Sequence, residues 1–299
     1  MEIKYYNREK KTTEIEKVYG DSGIKWLYRS FLGKCLSKVL IKPMPSRIYG
    51  KYQNSPLSQR KIGTFIENFD IDLSEFIPET GCSQDAPYSN FNSFFIRKFK
   101  TGKREFVGNK NILGAPCEAR YFAYHSIDED QEIPVKGKYL NARSILKDDR
   151  WEQVFKDGPV LLARLCPVDY HRFHFPDNGK LIDYYNISGK LHSVNPLALK
   201  TKGDIFATNE REISILQTEN FGKIGYVEVG AMMVGKIVQS FEKDTFQKGE
   251  EKGYFLFGGS TVIVFGEKGK WIPDADILEN TSKGIETFIK LGRSTGTKR

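Results

Sequence analysis

Two histidines three residues apart, and one serine set among small residues, are the groups in this sequence best suited to chemistry. His171 and His174 stand in Pro167-Val168-Asp169-Tyr170-His171-Arg172-Phe173-His174-Phe175-Pro176, and the chain holds only four histidines in all. An imidazole both takes and returns a proton near neutrality. Histidines beside aromatics are nonetheless more often structural than catalytic. A third ligand at metal-like spacing is missing, so no metal site is expected. The serine is Ser260, in Phe255-Leu256-Phe257-Gly258-Gly259-Ser260-Thr261-Val262-Ile263-Val264-Phe265. Taken alone, its four small residues read as a tight turn between two apolar strands. A hydrolase elbow would carry Gly-x-Ser-x-Gly with a helix after it, and here a strand follows instead.

The elements that must position these groups follow from composition and pattern. With 299 residues and 39% hydrophobic content, the chain buries a core without needing disulfides. The 27 glycines and 12 prolines favour a strand-rich protein with many turns. Cys35, Cys82, Cys117 and Cys166 are scattered, and with no signal peptide at the start they read as reduced thiols of a cytoplasmic protein. No apolar run approaches the roughly 18–20 residues that a membrane span requires. The formal net charge of +8 points to a polyanionic partner, either nucleic acid or an anionic membrane face.

Residues 24–42 predict a basic amphipathic helix stopped by Pro43, with Leu27, Phe31, Leu32, Cys35 and Val39 at helical spacing. Such a helix either packs its apolar stripe on the core or lies among lipid headgroups. A second helix is expected over 63–77 and a Pro/Gly/Ser-rich connector over 78–90. The aromatic-basic stretch Phe91–Phe99 could stack on bases, but a core anchor with a structurally paired arginine is the preferred reading. Short apolar runs at 121–125, 133–137, 159–166, 181–194, 211–217, 223–233, 254–258 and 261–265 predict strands. The stretch 274–291 is expected to end in a short helix. Together these predict an α+β fold: a β-rich catalytic body with N-terminal helices, including the basic amphipathic one.

The order of several segments carries more than any one of them. Phe91–Arg97, Ala115-Pro116-Cys117-Glu118, Pro167–His174, Ser193-Val194-Asn195, Asn209-Glu210-Arg211, Lys248–Phe255 and Gly258-Gly259-Ser260-Thr261 resemble, in this order, the phosphatidylserine decarboxylase proenzymes. The resemblance covers about residues 60–266 and leaves the N-terminal helix outside it. The basic amphipathic pattern makes residues 1–60 an N-terminal helical, membrane-associating segment, and the resemblance implies 61–299 as the catalytic domain. It also implies self-cleavage between Gly259 and Ser260, giving a β chain of 1–259 and an α chain of 260–299 that stay associated. Ser260 Oγ would attack the Gly259 carbonyl, with His174 as base and Glu118 orienting it in the manner of a Ser-His-Asp triad. Gly258 and Gly259 would permit the strained backbone, and Thr261 would donate to the oxyanion. Ser260 would end as a covalent pyruvoyl cofactor that forms a Schiff base with phosphatidylserine, releasing CO2 and phosphatidylethanolamine. His171 would handle protons in that second stage.

One position departs from the family pattern. Where the family carries Pro-x-Asp-Gly, this chain has Pro116-Cys117-Glu118-Ala119. The extra methylene displaces the carboxylate by roughly 1 Å, and misplacements of that order cost about 10²-fold. The alternative function is therefore a non-maturing relative that binds anionic phospholipid without catalysis. The resemblance also reassigns the basic surplus. Lys25, Trp26, Arg29, Lys34 and Lys38 become docking groups for an anionic membrane surface, at about 1 kcal/mol per basic residue. The expected location is peripheral, on the cytoplasmic side of the cell membrane. Nucleic acid is not an expected partner, because no recognised binding motif accompanies the charge.

Overall fold

A computed structural model describes residues 2–17, 30, 40–41, 43–83, 85–126, 141–194, 204–231, 236–258 and 260–299 of the chain. The strand expected over 133–137 and Gly259 lie outside the described residues. So does the basic helix expected over 24–42, apart from Ser30 and residues 40–41, and with it Lys25, Trp26, Arg29, Lys34 and Lys38.

Strands dominate the described chain. The first six are β1 (Lys4–Asn7), β2 (Thr12–Ile15), β3 (Phe76–Ile77), β4 (Lys98–Phe99), β5 (Ile112–Gly114) and β6 (Ala119–Tyr124). The next six are β7 (Val160–Leu165), β8 (Arg172–His174), β9 (Gly179–Ile187), β10 (Arg211–Thr218), β11 (Lys223–Val229) and β12 (Ile237–Gln239). The last six are β13 (Thr245–Phe246), β14 (Glu251–Phe255), β15 (Ser260–Gly266), β16 (Trp271–Pro273), β17 (Glu286–Ile289) and β18 (Ser294–Lys298). Ten of them form one mixed sheet in the order β13-β9-β10-β11-β15-β7-β6-β17-β1-β2. A second sheet, β12-β14-β8, carries both histidines of interest on or beside its edge strand. The fold is α+β, with helices concentrated ahead of the β-rich body.

The middle of the large sheet is β15, flanked by β11 and β7. Its Ser-Thr-Val-Ile-Val-Phe-Gly run is buried at every position. A strand covered on both faces takes a continuous apolar, β-branched sequence, which is why this segment reads so clearly as strand. Around it Leu162, Ile213, Tyr226, Val262, Val264 and Phe265 belong to the main core. A second core is aromatic. Helices α1 (Pro43–Gln53), α2 (Lys61–Phe69) and α3 (Phe91–Phe95) bring Phe65, Phe91, Phe94 and Phe95 onto Phe257. The stretch expected to anchor the core does so: Phe91, Phe94, Phe95 and Arg97 are buried.

Three segments differ from expectation. The N-terminal segment does not begin with helix; β1 and β2 form a hairpin, and β1 lies parallel to β17 inside the main sheet. Its strands are rich in tyrosine and threonine, but interspersed charges hide the pattern. The helix expected over 63–77 ends at Phe69, because Asp70 turns left-handed at φ 52° and its N–H caps the Ile66 carbonyl. Towards the C-terminus the helix is Ala275–Ser282, and the apolar residues that follow belong to β17 instead.

Candidate active site

The segment ahead of Ser260 is pinned from three directions. The N–H of Phe255 donates to the His171 carbonyl at 2.9 Å, that of Leu256 to the Lys236 carbonyl at 3.0 Å, and that of Phe257 to Asn92 Oδ1 at 2.9 Å. The Phe257 ring meets Phe95, Phe91 and Tyr49 at centroid distances of 4.9, 5.0 and 5.7 Å. Such aromatic pairs contribute about 0.5–1.5 kcal/mol each beyond their burial. Gly258 then takes φ 147°, a conformation that side chains with a Cβ rarely adopt. Beyond it Ser260 enters β15 opposite Leu165, and Thr261 faces Arg164 and Val229 on the neighbouring strands.

Among the described residues, three buried polar atoms at this place have no hydrogen-bond partner: Ser260 Oγ, Thr261 Oγ1 and His171 Nε2. An unsatisfied buried donor or acceptor costs about 1–3 kcal/mol, and such groups in a native structure point to function more than to stability. His171 is fully buried, and its ring packs on Phe95 with centroids 3.8 Å apart. Its Nδ1 lies 2.9 Å from the Asp169 carbonyl. A carbonyl only accepts, so Nδ1 carries the proton and Nε2 presents a free lone pair. That is the tautomer a general base requires. Burial pushes the imidazole down from its ordinary 6.5 to about 3, while the backbones of Asp169 and Gly258 pull the other way.

His174 sits elsewhere along the same ladder. His174 pairs with Glu251 across β8 and β14, whereas the His171 carbonyl receives the N–H of Phe255. Three residues of strand on the β8 side separate those levels, about 10 Å at strand rise, β14 taking up its extra residue in a bulge between Glu251 and Gly253, and the Phe255 end is the one that leads to Ser260. His174 is half-buried; its Nδ1 lies 2.9 Å from the Gly249 carbonyl, and its Nε2 lies 3.3 Å from the Tyr170 hydroxyl. Burial lowers its basicity too.

Glu118, expected to orient His174, makes its hydrogen bonds to other groups. Its carboxylate receives Arg104 Nε at 2.5 Å, Arg104 Nη2 at 3.2 Å and the Leu291 N–H at 3.3 Å. Arg104 in turn bridges to Glu75 at 2.8 Å. The extra methylene of glutamate over aspartate thus reaches a bidentate arginine, and the described hydrogen bonds do not join Glu118 to His174. Thr261, expected beside the oxyanion, stands directly across from Arg164, and alternation along β15 sends its side chain to the face opposite Ser260.

Two groups escaped the reading of the sequence. Asp169 is buried; its carboxylate accepts from Arg120 Nη1 at 2.6 Å and from the Cys166 N–H at 2.7 Å, and burial raises its pKa against the pull of Arg120. The Pro-x-Asp pattern that marks the orienting aspartate occurs literally at Pro167-Val168-Asp169, which was the available signal. The other is a buried pair, Lys252 Nζ to Glu228 at 2.6 Å, with Gln239 Oε1 at 2.8 Å from the same ammonium. It ties β14 to β11, one on each side of the segment that carries Ser260. Burial lifts Glu228 to about 7, with Lys252 opposing.

The depressed His171 has a consequence for stability. The folded state holds this imidazole neutral down to about pH 3, whereas the unfolded chain protonates it near 6.5. Its contribution is therefore complete above pH 6.5 and is lost as pH falls through that window, at about 1.4 kcal/mol per pH unit. Glu228, raised on folding, acts in the opposite sense as pH rises toward 7. Comparing Ser260→Ala with Ser260→Ala/His171→Asn by denaturant unfolding from pH 7.5 to 4.5 isolates the histidine. The double variant should lose part of the acid sensitivity; parallel profiles would contradict a buried neutral His171.

Comparison with known proteins gives the family. Residues 91–296 match the family model described as phosphatidylserine decarboxylase. A phosphatidylserine decarboxylase proenzyme of Clostridium tetani is 44% identical over 297 residues, covering 99% of this chain and 98% of the relative. Proenzymes of the same name from Clostridium novyi and Clostridium perfringens are 43% and 42% identical, each over 99% of this chain and 99% and 100% of the relative. With a family model matched over two thirds of its length and relatives above 40% identity along almost all of it, the chain belongs to the phosphatidylserine decarboxylase family.

Proposed function

We propose that this chain cleaves itself between Gly259 and Ser260 and then decarboxylates phosphatidylserine to phosphatidylethanolamine and CO2. The observation that carries the reading is the pairing of burial with incompleteness: Ser260 Oγ and His171 Nε2 are both buried without partners beside the positive-φ Gly258. One is a proton donor and the other a proton acceptor. His171, rather than His174, is the base in this reading, because the β14 ladder sets it at the Phe255 level.

The chemistry balances as follows. His171 Nε2 takes the hydroxyl proton as Oγ attacks the Gly259 carbonyl, and the Ser260 nitrogen leaves with a proton, turning amide into ester. Loss of the Ser260 α-proton expels the Gly259 carboxylate. The dehydroalanine left at position 260 takes up water and releases ammonia, and the new terminus is a pyruvoyl group. That group supplies an electrophilic carbonyl for a Schiff base with the substrate's amine and a sink for the electrons released with CO2. The chain's own part is to hold the new terminus in place. Strand β15 is bonded to β7 and β11, and β17 to β6 and β1, so the 260–299 fragment stays woven into the 1–259 fragment.

A second reading, phospholipid binding without maturation, is favoured by one observation: Glu118 is committed to Arg104. The first reading does not need Glu118 as the orienting group, since the Asp169 carbonyl already fixes the His171 tautomer.

Docking at an anionic bilayer, peripherally and on the cytoplasmic side of the cell membrane, completes the proposal. Lys25, Trp26, Arg29, Lys34 and Lys38 remain candidate contacts. Helix α1 adds support, since Met44 and Ile48 are 70% and 63% exposed beside exposed Arg47 and Lys51. Spacing of i, i+3, i+4 and i+7 sets these four on one face. On the other side Tyr49 meets Phe257, so a membrane bound to that face would lie close to the site. No helix among the described residues is long and apolar enough to cross a membrane.

Two experiments test these statements. Ser260→Ala should remain one chain and release no CO2, and His171→Ala should likewise stay uncleaved while His174→Ala still matures. Cleavage in His171→Ala, or its loss in His174→Ala alone, would return the base to His174. Co-sedimentation of Ser260→Ala with phosphatidylserine-containing vesicles should weaken several-fold when Met44 and Ile48 are replaced by Asp. Unchanged binding would remove α1 from the docking surface.

A further inference from the structure

The fold holds a buried ion pair that no step of the proposed chemistry uses. Lys252 of β14 donates to Glu228 Oε1 of β11 at 2.6 Å and to Gln239 Oε1 of β12 at 2.8 Å. The two charged side chains are 4% and 0% exposed. The Gln239 amide donates in turn to Glu212 of β10 at 2.7 Å, and the Tyr184 hydroxyl of β9 donates to the same carboxylate oxygen at 2.9 Å. One hydrogen-bonded network thus crosses from the small sheet β12-β14-β8 to three strands of the large one. Among the described residues, Lys252–Glu228 is the one ion pair that joins these two sheets.

Strand register places the pair beside Ser260. Glu228 stands across from Val262, and Tyr226 across from Val264. Residues two apart along a strand share a face, and so do cross-strand partners. Glu228 and Tyr226 therefore project from the same face of the large sheet as Ser260. The small sheet lies on that face. The Tyr226 hydroxyl donates to the His174 carbonyl at 3.3 Å, and the Lys252 ammonium lies 5.2 Å from the Tyr226 ring and 5.6 Å from the Phe173 ring. Each link from the histidine strand to the serine strand is an observed contact. Strand β8 is bonded to β14, Lys252 of β14 to Glu228 of β11, and β11 to β15.

We propose that Lys252 and Glu228 are positioning residues for the chemistry at position 260, fixing the spacing between the small sheet, with its histidine segment, and Ser260. This role rests on the cleavage reading given above and holds whichever histidine serves. Apolar packing excludes water without dictating a distance, because the hydrophobic effect is non-directional. A charge-assisted hydrogen bond is short and directional. Errors of about 1 Å between reacting groups cost about 10²-fold, so a strut between the two sheets matters more for rate than for folding. For stability alone the pair is a poor choice, since apolar residues of similar volume often do as well or better. Glu228 Oε2 also lacks a hydrogen-bond partner, a further cost. Lys252 stands on the strand that leads into the serine turn. Once the bond ahead of Ser260 is broken, that strand ends the 1–259 fragment, and the ion pair is among the contacts that keep it in place.

The test separates geometry from stability. Glu228→Gln keeps the shape and an acceptor for Lys252 but removes the charge, whereas Lys252→Met/Glu228→Leu replaces the pair with apolar side chains of similar size. Both are made by cell-free synthesis beside the wild type, and conversion to the 260–299 fragment is followed by intact mass on the folded, monodisperse fraction. Rates are read at pH 8, above the value of about 7 to which burial lifts Glu228. Denaturant unfolding of the same changes in a Ser260→Ala background gives stability. CO2 release from phosphatidylserine in detergent micelles, normalised to the fragment formed, gives kcat and KM. The double variant should be as stable as its background yet cleave about tenfold or more slowly. Its kcat should fall while KM stays within about twofold, the mark of an interaction that serves the reacting geometry. Glu228→Gln should be slowed in the same sense. Lys283→Ala, which breaks an exposed pair with Glu279, should cleave at the wild-type rate. Wild-type cleavage and turnover in either folded variant would overturn the proposal, and so would slowing that appears only where stability is lost. Failure of both variants to fold would make the pair a folding element and overturn it too. Failure of the wild type to cleave would instead contradict the cleavage reading itself.

Discussion

The hydrogen bond between His171 Nδ1 and the Asp169 carbonyl, 2.9 Å long and fully buried, governs the rest of this site. It settles that Nδ1 holds the proton, which leaves Nε2 as the nitrogen without a hydrogen bond among the described residues. Everything around it serves to keep that carbonyl still. The Asp169 side chain is held by Arg120 and by the Cys166 N–H, and the His171 ring is pressed on Phe95. Phe95 also meets Phe257, two residues ahead of the expected break. One aromatic side chain therefore links the His171 ring to the segment ahead of Ser260.

The arrangement is poor for stability and good for reactivity. A neutral imidazole in a dry site, a serine hydroxyl and a threonine hydroxyl without partners, and a buried ion pair all cost free energy. Apolar residues of equal volume would often do as well or better. The large sheet absorbs these costs, since β15 is paired on both edges and buried throughout. The same pairing suits the proposed cleavage: breaking the chain ahead of Thr261 leaves every rung from Thr261 to Phe265 in place, and only the Ser260 rung opposite Leu165 changes. The turn can be cut while both its flanks remain in place.

Much of the fold was legible because burial on both faces leaves a plain signature. The β-branched run 261–265 and the apolar run 159–166 became central strands, and the aromatic stretch Phe91–Phe99 became a core anchor. The hairpin at residues 4–15 was hidden, since its strands are short and polar and gain stability only by docking on β17. The helix expected to reach residue 77 was overextended because apolar spacing continues past Asp70, whose left-handed turn no periodicity reveals. For the candidate site, Ser260, His171 and His174 stand out in the sequence, but their separation along the β8–β14 ladder does not. Which histidine stands near the serine depends on the β8–β14 register, and the Arg104–Glu118 pairing spans an intervening loop. The contact of Lys252 with Glu228 exists only once the two sheets are packed together.

The central claim is that this sheet carries a serine placed to become the catalytic group. Intact-mass analysis of the freshly purified wild-type protein tests it most directly. The expected result is two chains, one of residues 1–259 and one of residues 260–299 whose mass lacks one ammonia relative to that peptide with an intact serine terminus. A single chain retaining Ser260 after prolonged incubation would contradict it.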